Sequence, residues 1–353
     1  MKNRTQNPLL TSIVISSRYL SVWVAIGLLL LACLWIAPET LSRTSFTTVM
    51  PLTSFLALTA LGQMLVVMTG GIDLSTPGIM TLAALMTVGI AGKSDANMPV
   101  ALATALGVSL FIGFCTGTLV GVLKLNPLIV TLAMGQIVNG SMLAYADKVA
   151  NEARVPPGFA EWITKPFAFG LNNVESTAIG ISLLLILIFR YTAVGRKFQS
   201  VGANPTAAWI LGLRVNGYVI LAYMAAAFLY GLSGVLLAGF LQSPSLVLGV
   251  PYLLGPIATV VIGGASLSGG LASAASTWAS AFFLTLLSQM LRVLGLPTSL
   301  QFVVFGVAII GGMVISGDRI ITLIENLLRN SGRLEDAPQV LKDQPAQGGS
   351  MPE

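Results

Sequence analysis

The sequence predicts an all-α, polytopic bundle of about ten membrane-spanning helices, and three observations carry that prediction. From Val215 to Leu291 the chain holds no Asp, Glu, Lys or Arg. No water-exposed surface tolerates such a run, whereas a bilayer accepts it at roughly 20 apolar residues per passage. Similar gaps recur at Phe46–Ile72, Leu74–Gly92, Met98–Leu123 and Val293–Gly317. Third, hydrophobic residues make up 55% of the chain and charged residues only 9%, against about a quarter charged in ordinary globular domains.

Spans are expected at 19–37, 46–70, 74–92, 98–122, 127–146, 174–191, 215–241, 252–267, 271–292 and 298–317. Pro38, Pro51, Gly70-Gly71, Pro99, Asn126-Pro127, Ser243-Pro244 and Pro297 punctuate the series, since Gly and Pro mark turns most strongly. The first stretch, Tyr19–Ala37, is longer than a signal peptide's apolar region and no A-x-A pattern follows, so it reads as a retained span. The eighth is short and glycine-rich, and reads either as a full span or as a re-entrant segment. The domain reading is a cytoplasmic N-terminal segment (1–18), a transmembrane domain (19–330) and a polar, disordered cytoplasmic tail (331–353).

Charge sets the orientation, because Lys and Arg concentrate on the cytoplasmic side. With the N-terminus inside, Lys2, Arg4, Arg18, Lys124, Arg190, Arg196, Lys197, Arg214, Arg319, Arg329, Arg333 and Lys342 face the cytoplasm. Arg43, Lys93, Lys148, Arg154, Lys165 and Arg292 face outward. The net charge of +5 is thus topological. Scattered basic residues without an aromatic-basic patch argue against nucleic acid as a partner. There is no histidine, and Cys33 and Cys115 lie inside apolar runs, so no metal site, disulfide scaffold or catalytic residue is assigned.

Two connections are long. The outer one, 147–173, mixes charges with Pro156-Pro157, Phe159 and Trp162 and offers a docking surface. The inner one, 192–214, contains Ala203-Asn204-Pro205-Thr206-Ala207-Ala208-Trp209-Ile210-Leu211-Gly212. Asn is a favoured N-cap, Pro suits the first helical position and Gly the position past the end. One short helix follows, too short to persist alone. Its Trp209 and Ile210 need burial, either flat on the membrane or in the groove of a cytoplasmic partner.

Here the chain resembles the permease subunits of ATP-driven importers. Ala207-Ala208 followed by Gly212 is similar to their coupling-loop signature. The preceding Gly195-Arg196 and Gly202-Ala203-Asn204 fit the ribose/xylose/galactose branch. Thr69-Gly70-Gly71-Ile72-Asp73-Leu74-Ser75 resembles that branch's T-G-G-I-D-L-S segment, Pro127–Leu132 its P-F-I-V-T-L, and Val261–Gly270 its V-I-G-G-x-S-L-x-G-G. The chain departs from the pattern at Leu253-Leu254-Gly255-Pro256, where relatives often carry an acid, and at Asn139-Gly140, where Arg-Gly is common.

The resemblance implies a type II ABC importer-like fold in the bacterial inner membrane, with both termini cytoplasmic. It implies a second permease subunit, identical or paralogous, and a periplasmic or lipid-anchored sugar-binding protein. The chain lacks the Walker A pattern G-x-x-x-x-G-K-[ST], so Mg-ATP belongs to a separate ATPase and no cofactor is bound directly. Coupling to that ATPase is assigned to Asn204, Pro205, Ala207, Ala208, Trp209 and Gly212.

Neutral polar side chains inside spans are the candidates for a sugar pathway: Gln63, Gln136, Asn139, Ser141, Gln289 and Gln301. Asp73 reads either as a cap on the third helix, assisted by Ser75 and Thr76, or as a gating or substrate residue. Pro77 and Pro256 are expected to interrupt their helices, where transporters expose polar backbone. Gly70, Gly71, Gly263, Gly264, Gly269 and Gly270 permit close approach or sharp turns. The alternatives are an ion-coupled carrier, or an ABC permease for a nucleoside, a signalling furanose or a branched-chain amino acid.

Overall fold

The computed structural model describes residues 8–311 apart from 93, 150–153, 169, 243–244, 298, 301, 305 and 308–309, with side chains from residue 19 apart from 148–149 and 168. Gln301, the tail 331–353, much of the expected tenth span (298–317) and residues 1–7 of the N-terminal segment therefore lie outside the described residues.

The described chain is an all-helical bundle with one two-stranded hairpin. Its helices are α1 (Pro8–Ile36), α2 (Arg43–Met68), α3 (Thr76–Ala91), α4 (Met98–Gly121), α5 (Pro127–Val149) and α6 (Pro157–Thr164). They continue as α7 (Asn173–Tyr191), α8 (Ala193–Ala203), α9 (Pro205–Ile210), α10 (Val215–Leu241), α11 (Gly255–Ile262) and α12 (Ala274–Val293). Seven of them, α1, α2, α4, α5, α7, α10 and α12, are long and apolar enough to cross a bilayer. This is a multi-pass membrane protein.

Nine expected spans map onto helices, with informative differences. α1 begins at Pro8, not at residue 19, because the residues before Arg18 (Leu9, Leu10, Ile13, Val14 and Ile15) continue the apolar run. Pro51 lies inside α2 instead of bounding it. Pro77 and Pro256 do not interrupt helices; they sit in the first turns of α3 and α11, where a missing N–H costs nothing.

Both of these helices are short. α3 has 16 residues and α11 has 8, about 24 and 12 Å at 1.5 Å per residue, against a hydrocarbon core of about 30 Å. α11 is the eighth expected span, and its helix alone is too short to cross.

The core forms where α2, α3, α4 and α10 meet. α2 is apolar on all sides and 94% of its most hydropathic window is buried, whereas the corresponding figure for α1 is 17%. Small residues allow the close approach typical of membrane helices: Gly113, Gly117 and Gly121 of α4 lie against Tyr223, Ile220 and Asn216 of α10. Gly62 of α2 lies against Tyr230 and Ala226. The outer connection, to which the sequence assigned no element, folds into α6 and the hairpin of Pro166–Ala168 with Leu171–Asn172. Asp95, between α3 and α4, accepts from the N–H groups of Gly158 (3.1 Å) and Phe159 (3.0 Å) and so ties α6 down.

Candidate functional site

Three pieces of the chain meet at one end of the bundle: the end of α2, the end of α8 and the loop before α12. Gly270 donates its N–H to the carbonyl of Met68, at 2.9 Å. A Cβ on Gly202 would collide with that same carbonyl and approach the Gly270 nitrogen to 2.7 Å. A Cβ on Gly269 would meet the Gly202 carbonyl at 2.6 Å. The three segments are in backbone-to-backbone contact that only glycine permits. Gly269 (φ +96°) and Gly270 (φ +83°) also occupy the left-handed region, which other residues rarely enter.

From this contact α8 leads directly into α9. The Asn204 side chain accepts from Ala207 N–H at 3.0 Å, and Pro205 opens the helix. Gly212 closes it at φ +80°, with Gly212 N–H bonded to Trp209 O and Leu213 N–H to Ala208 O. Those bonds satisfy carbonyls left over at a helix end. Ala208 faces inward, but Trp209, Ile210 and Leu211 are 71, 72 and 78% exposed. α9 is a rigid knob with an uncovered apolar tip.

On the other side of the contact lies the break between α2 and α3. After Met68 the chain turns through Gly70 (φ +82°) and runs back along α2 as extended chain. A free backbone edge at this depth requires partners, because no water is available. Gln63 supplies them. Its amide oxygen accepts from Asp73 N–H (3.1 Å), and its nitrogen donates to Asp73 O (3.1 Å) and to the Tyr230 hydroxyl (3.0 Å). Tyr230 lies near the middle of the 27-residue α10, which places Asp73 at mid-depth.

The Asp73 carboxylate accepts from Ser75 N–H (2.8 Å) and the Ser75 hydroxyl (2.6 Å). The N-cap of α3 is Ser75, without a side-chain cap bond of its own, so Asp73 braces the turn that leads into the helix. Thr131 of α5 donates to Ile72 O at 3.3 Å. Gly71 lies against the Tyr223 hydroxyl, which is buried and has no hydrogen-bond partner among the described residues.

α3 and α11 therefore both open inside the bundle. Gly249 donates to the Thr81 hydroxyl at 3.0 Å and packs on the Pro77 backbone, while Gly255 meets Leu56, halfway along α2. Two short helices starting at mid-depth and leaving in opposite directions are the arrangement by which transporters present helix N-termini to a solute.

The polar candidates distribute unevenly around this junction. Asn139 faces Gly78 in the first turn of α3. Gln136 and Ser141 are exposed on α5, and Gln63 is fully buried in its clamp. Gln289 stands near the far end, its Nε2 donating to the Ser45 hydroxyl at 3.4 Å. Gly263 packs on Ser276 of α12, and Gly264 turns the chain at φ +82°. Sequence reasoning missed Tyr223 and Tyr230, since an aromatic inside an apolar run reads as core.

Comparison with known proteins places the chain among permeases. The family described as "Branched-chain amino acid transport system / permease component" matches residues 45–313. A probable ABC transporter permease of Sinorhizobium fredii is 31% identical, over 84% of this chain and 88% of its own. The ribose import permease protein of Escherichia coli K12 is 30% identical, over 76% and 84%. The autoinducer 2 import system permease protein of Salmonella typhimurium is 28% identical, over 86% and 88%. No solved structure matches.

Proposed function

This chain belongs to the permease-component family of branched-chain amino acid transport systems, and from that membership we propose that it is the membrane subunit of an ATP-driven importer for a monosaccharide. Ribose import by one relative and autoinducer 2 import by another support a small neutral, oxygen-rich solute. Neutral Asn139 of α5, facing the first turn of α3, suits hydroxyl groups. Hydrolysis of ATP takes place on a separate ATPase, and solute arrives on a binding protein at the opposite face. A second permease subunit completes the pathway. The membrane is the bacterial inner membrane, with both termini in the cytoplasm and α9 on the cytoplasmic side.

One observation carries this reading: the exposed knob α9 is continuous with the glycine contact that touches both short helices' connections. When the ATPases close, α9 moves as a lever. Gly202 transmits that displacement to Met68 and to the 263–273 loop, which lead to the starts of α3 and α11. Their mid-depth N-termini then exchange between two discrete packings, one open to each side. Asp73 and Gln63 keep the α2–α3 break intact during the exchange.

The test uses the assembled importer. Replacing Ala208 or Gly212 with a bulky residue should abolish solute-stimulated ATPase activity while leaving membrane insertion intact. Retained coupling in both variants overturns the assignment.

A further inference from the structure

The two ends of the bundle carry different charges. Among the described side chains, Glu39, Asp95, Asp147, Glu161 and Glu175 all lie at the end that holds α6. The opposite end holds Lys124, Arg190, Arg196, Lys197 and Arg214 and, among the described side chains, no acid. Two of these cations, Lys124 and Arg214, line one groove of about 790 Å³ together with Trp209, Leu213 and Asn216. Lys124 Nζ donates to Asn216 Oδ1 at 2.6 Å, which fixes its ammonium in the groove wall without neutralising it.

The surroundings decide what such a groove takes. Val122, Leu123 and Leu125, on either side of Lys124, are each about half exposed or more, as is Leu221 one turn along α10. In a membrane these side chains face acyl chains. The groove thus opens sideways onto lipid, at the depth where Trp and cationic side chains meet headgroups. Pro205, Thr206, Trp209 and Gly212 of the α9 segment also line it, whereas Ile210 and Leu211 do not, so a protein partner meets α9 on the Ile210–Leu211 side while the groove is filled.

We propose that the Lys124–Arg214 groove binds the phosphate headgroup of an anionic phospholipid, seated between α9 and the start of α10 with its acyl chains along α4 and α10. A lipid there braces the root of the lever and makes coupling depend on the anionic lipid content of the membrane. The proposal rests on the membrane placement of the helices and not on the solute carried.

The test is fluorescence quenching of the full chain in phosphatidylcholine bilayers doped with brominated phosphatidylglycerol or, at equal mole fraction, brominated phosphatidylcholine. Subtracting the Trp209→Phe signal isolates Trp209 from the other tryptophans. Trp209 should be quenched several-fold more by the anionic lipid, and the preference should fall as salt rises. The lipid-facing Trp23 and Trp35 of α1 should show no preference. Lys124→Gln and Arg214→Gln should each lower the apparent affinity by roughly fivefold, whereas Lys124→Arg with Arg214→Lys should retain it.

Equal, salt-insensitive quenching of wild-type Trp209 by the two lipids overturns the proposal, whatever the variants do. Reversal of the preference by millimolar inorganic phosphate assigns the groove to a soluble anion and overturns it too. Neither assay involves ATP or solute, so failure here leaves the importer reading untouched.

Discussion

The chain interrupts its helices twice on the side of α9, between α2 and α3 and between α11 and α12, and the two breaks are held by different means. The first is held by side chains. Gln63, Asp73, Ser75 and Thr131 together pair the backbone of residues 72–75. The second is held by its own backbone, with Ser266 N–H bonded to Leu271 O, Gly269 N–H to Ser266 O and Gly270 N–H to Met68 O. A side-chain clamp fixes one geometry. A glycine turn keeps its shape but contributes no side chain, so a neighbouring backbone seats directly on it. In the proposed mechanism the first break keeps the α2–α3 connection intact and the second receives motion from α8.

The largest expected effect comes from filling the glycine contact. Gly202→Val places a branched side chain against the Met68 carbonyl and Gly270 nitrogen, and overpacking of this kind costs about 1–3 kcal/mol. Uptake by the assembled importer should drop at least about tenfold, with Gly202→Ala less affected; wild-type uptake in the valine variant would remove the contact from the mechanism. Next is the side-chain clamp. Gln63→Leu leaves the buried Asp73 N–H unpaired, at about 1–3 kcal/mol, and leaves the Asp73 carbonyl and the Tyr230 hydroxyl with Thr76 as partner, so the thermal midpoint in detergent should fall clearly. A midpoint equal to wild type would mean that the break is held by other groups.

Asp73 sharpens the same comparison. Asp73→Ala removes the acceptor of two bonds and should cost about 1–2 kcal/mol, while Asp73→Asn keeps an acceptor and should cost less than half as much. An Asn variant that keeps wild-type stability but loses transport would point to the negative charge itself. The smallest loss is expected from Tyr223→Phe, which removes a buried hydroxyl that has no partner among the described residues and should leave stability unchanged or raise it by about 1 kcal/mol. A loss above about 1 kcal/mol would show that the hydroxyl is hydrogen-bonded in the membrane.

Much of this architecture is legible in the sequence, for reasons particular residues make plain. α10 runs from Val215 to Leu241 as expected, because Arg214 and Gln242 bracket an unbroken apolar run. α9 follows from Asn204, Pro205 and Gly212, each in the position its backbone preference dictates. What stays hidden depends on contacts distant in the chain. Gln63 reads as a pathway residue, since nothing local reveals that its amide pairs with a peptide ten positions on. The approach of Gly202 to Met68 and Gly270 joins three segments far apart in sequence and leaves no periodicity. α6 is masked by the polar composition of its loop, and the bond from Asp95 that anchors it crosses more than sixty residues.

The account centres on α8–α9 and the 263–273 loop moving as one body. The most direct measurement is solute uptake with the two tied together, by a short bifunctional thiol reagent across Ala203→Cys and Leu271→Cys in a background lacking Cys33 and Cys115. The account predicts that cross-linked importer retains most of its uptake. Uptake that collapses on cross-linking and returns when the link is cleaved would show that the two segments must separate, and would contradict it.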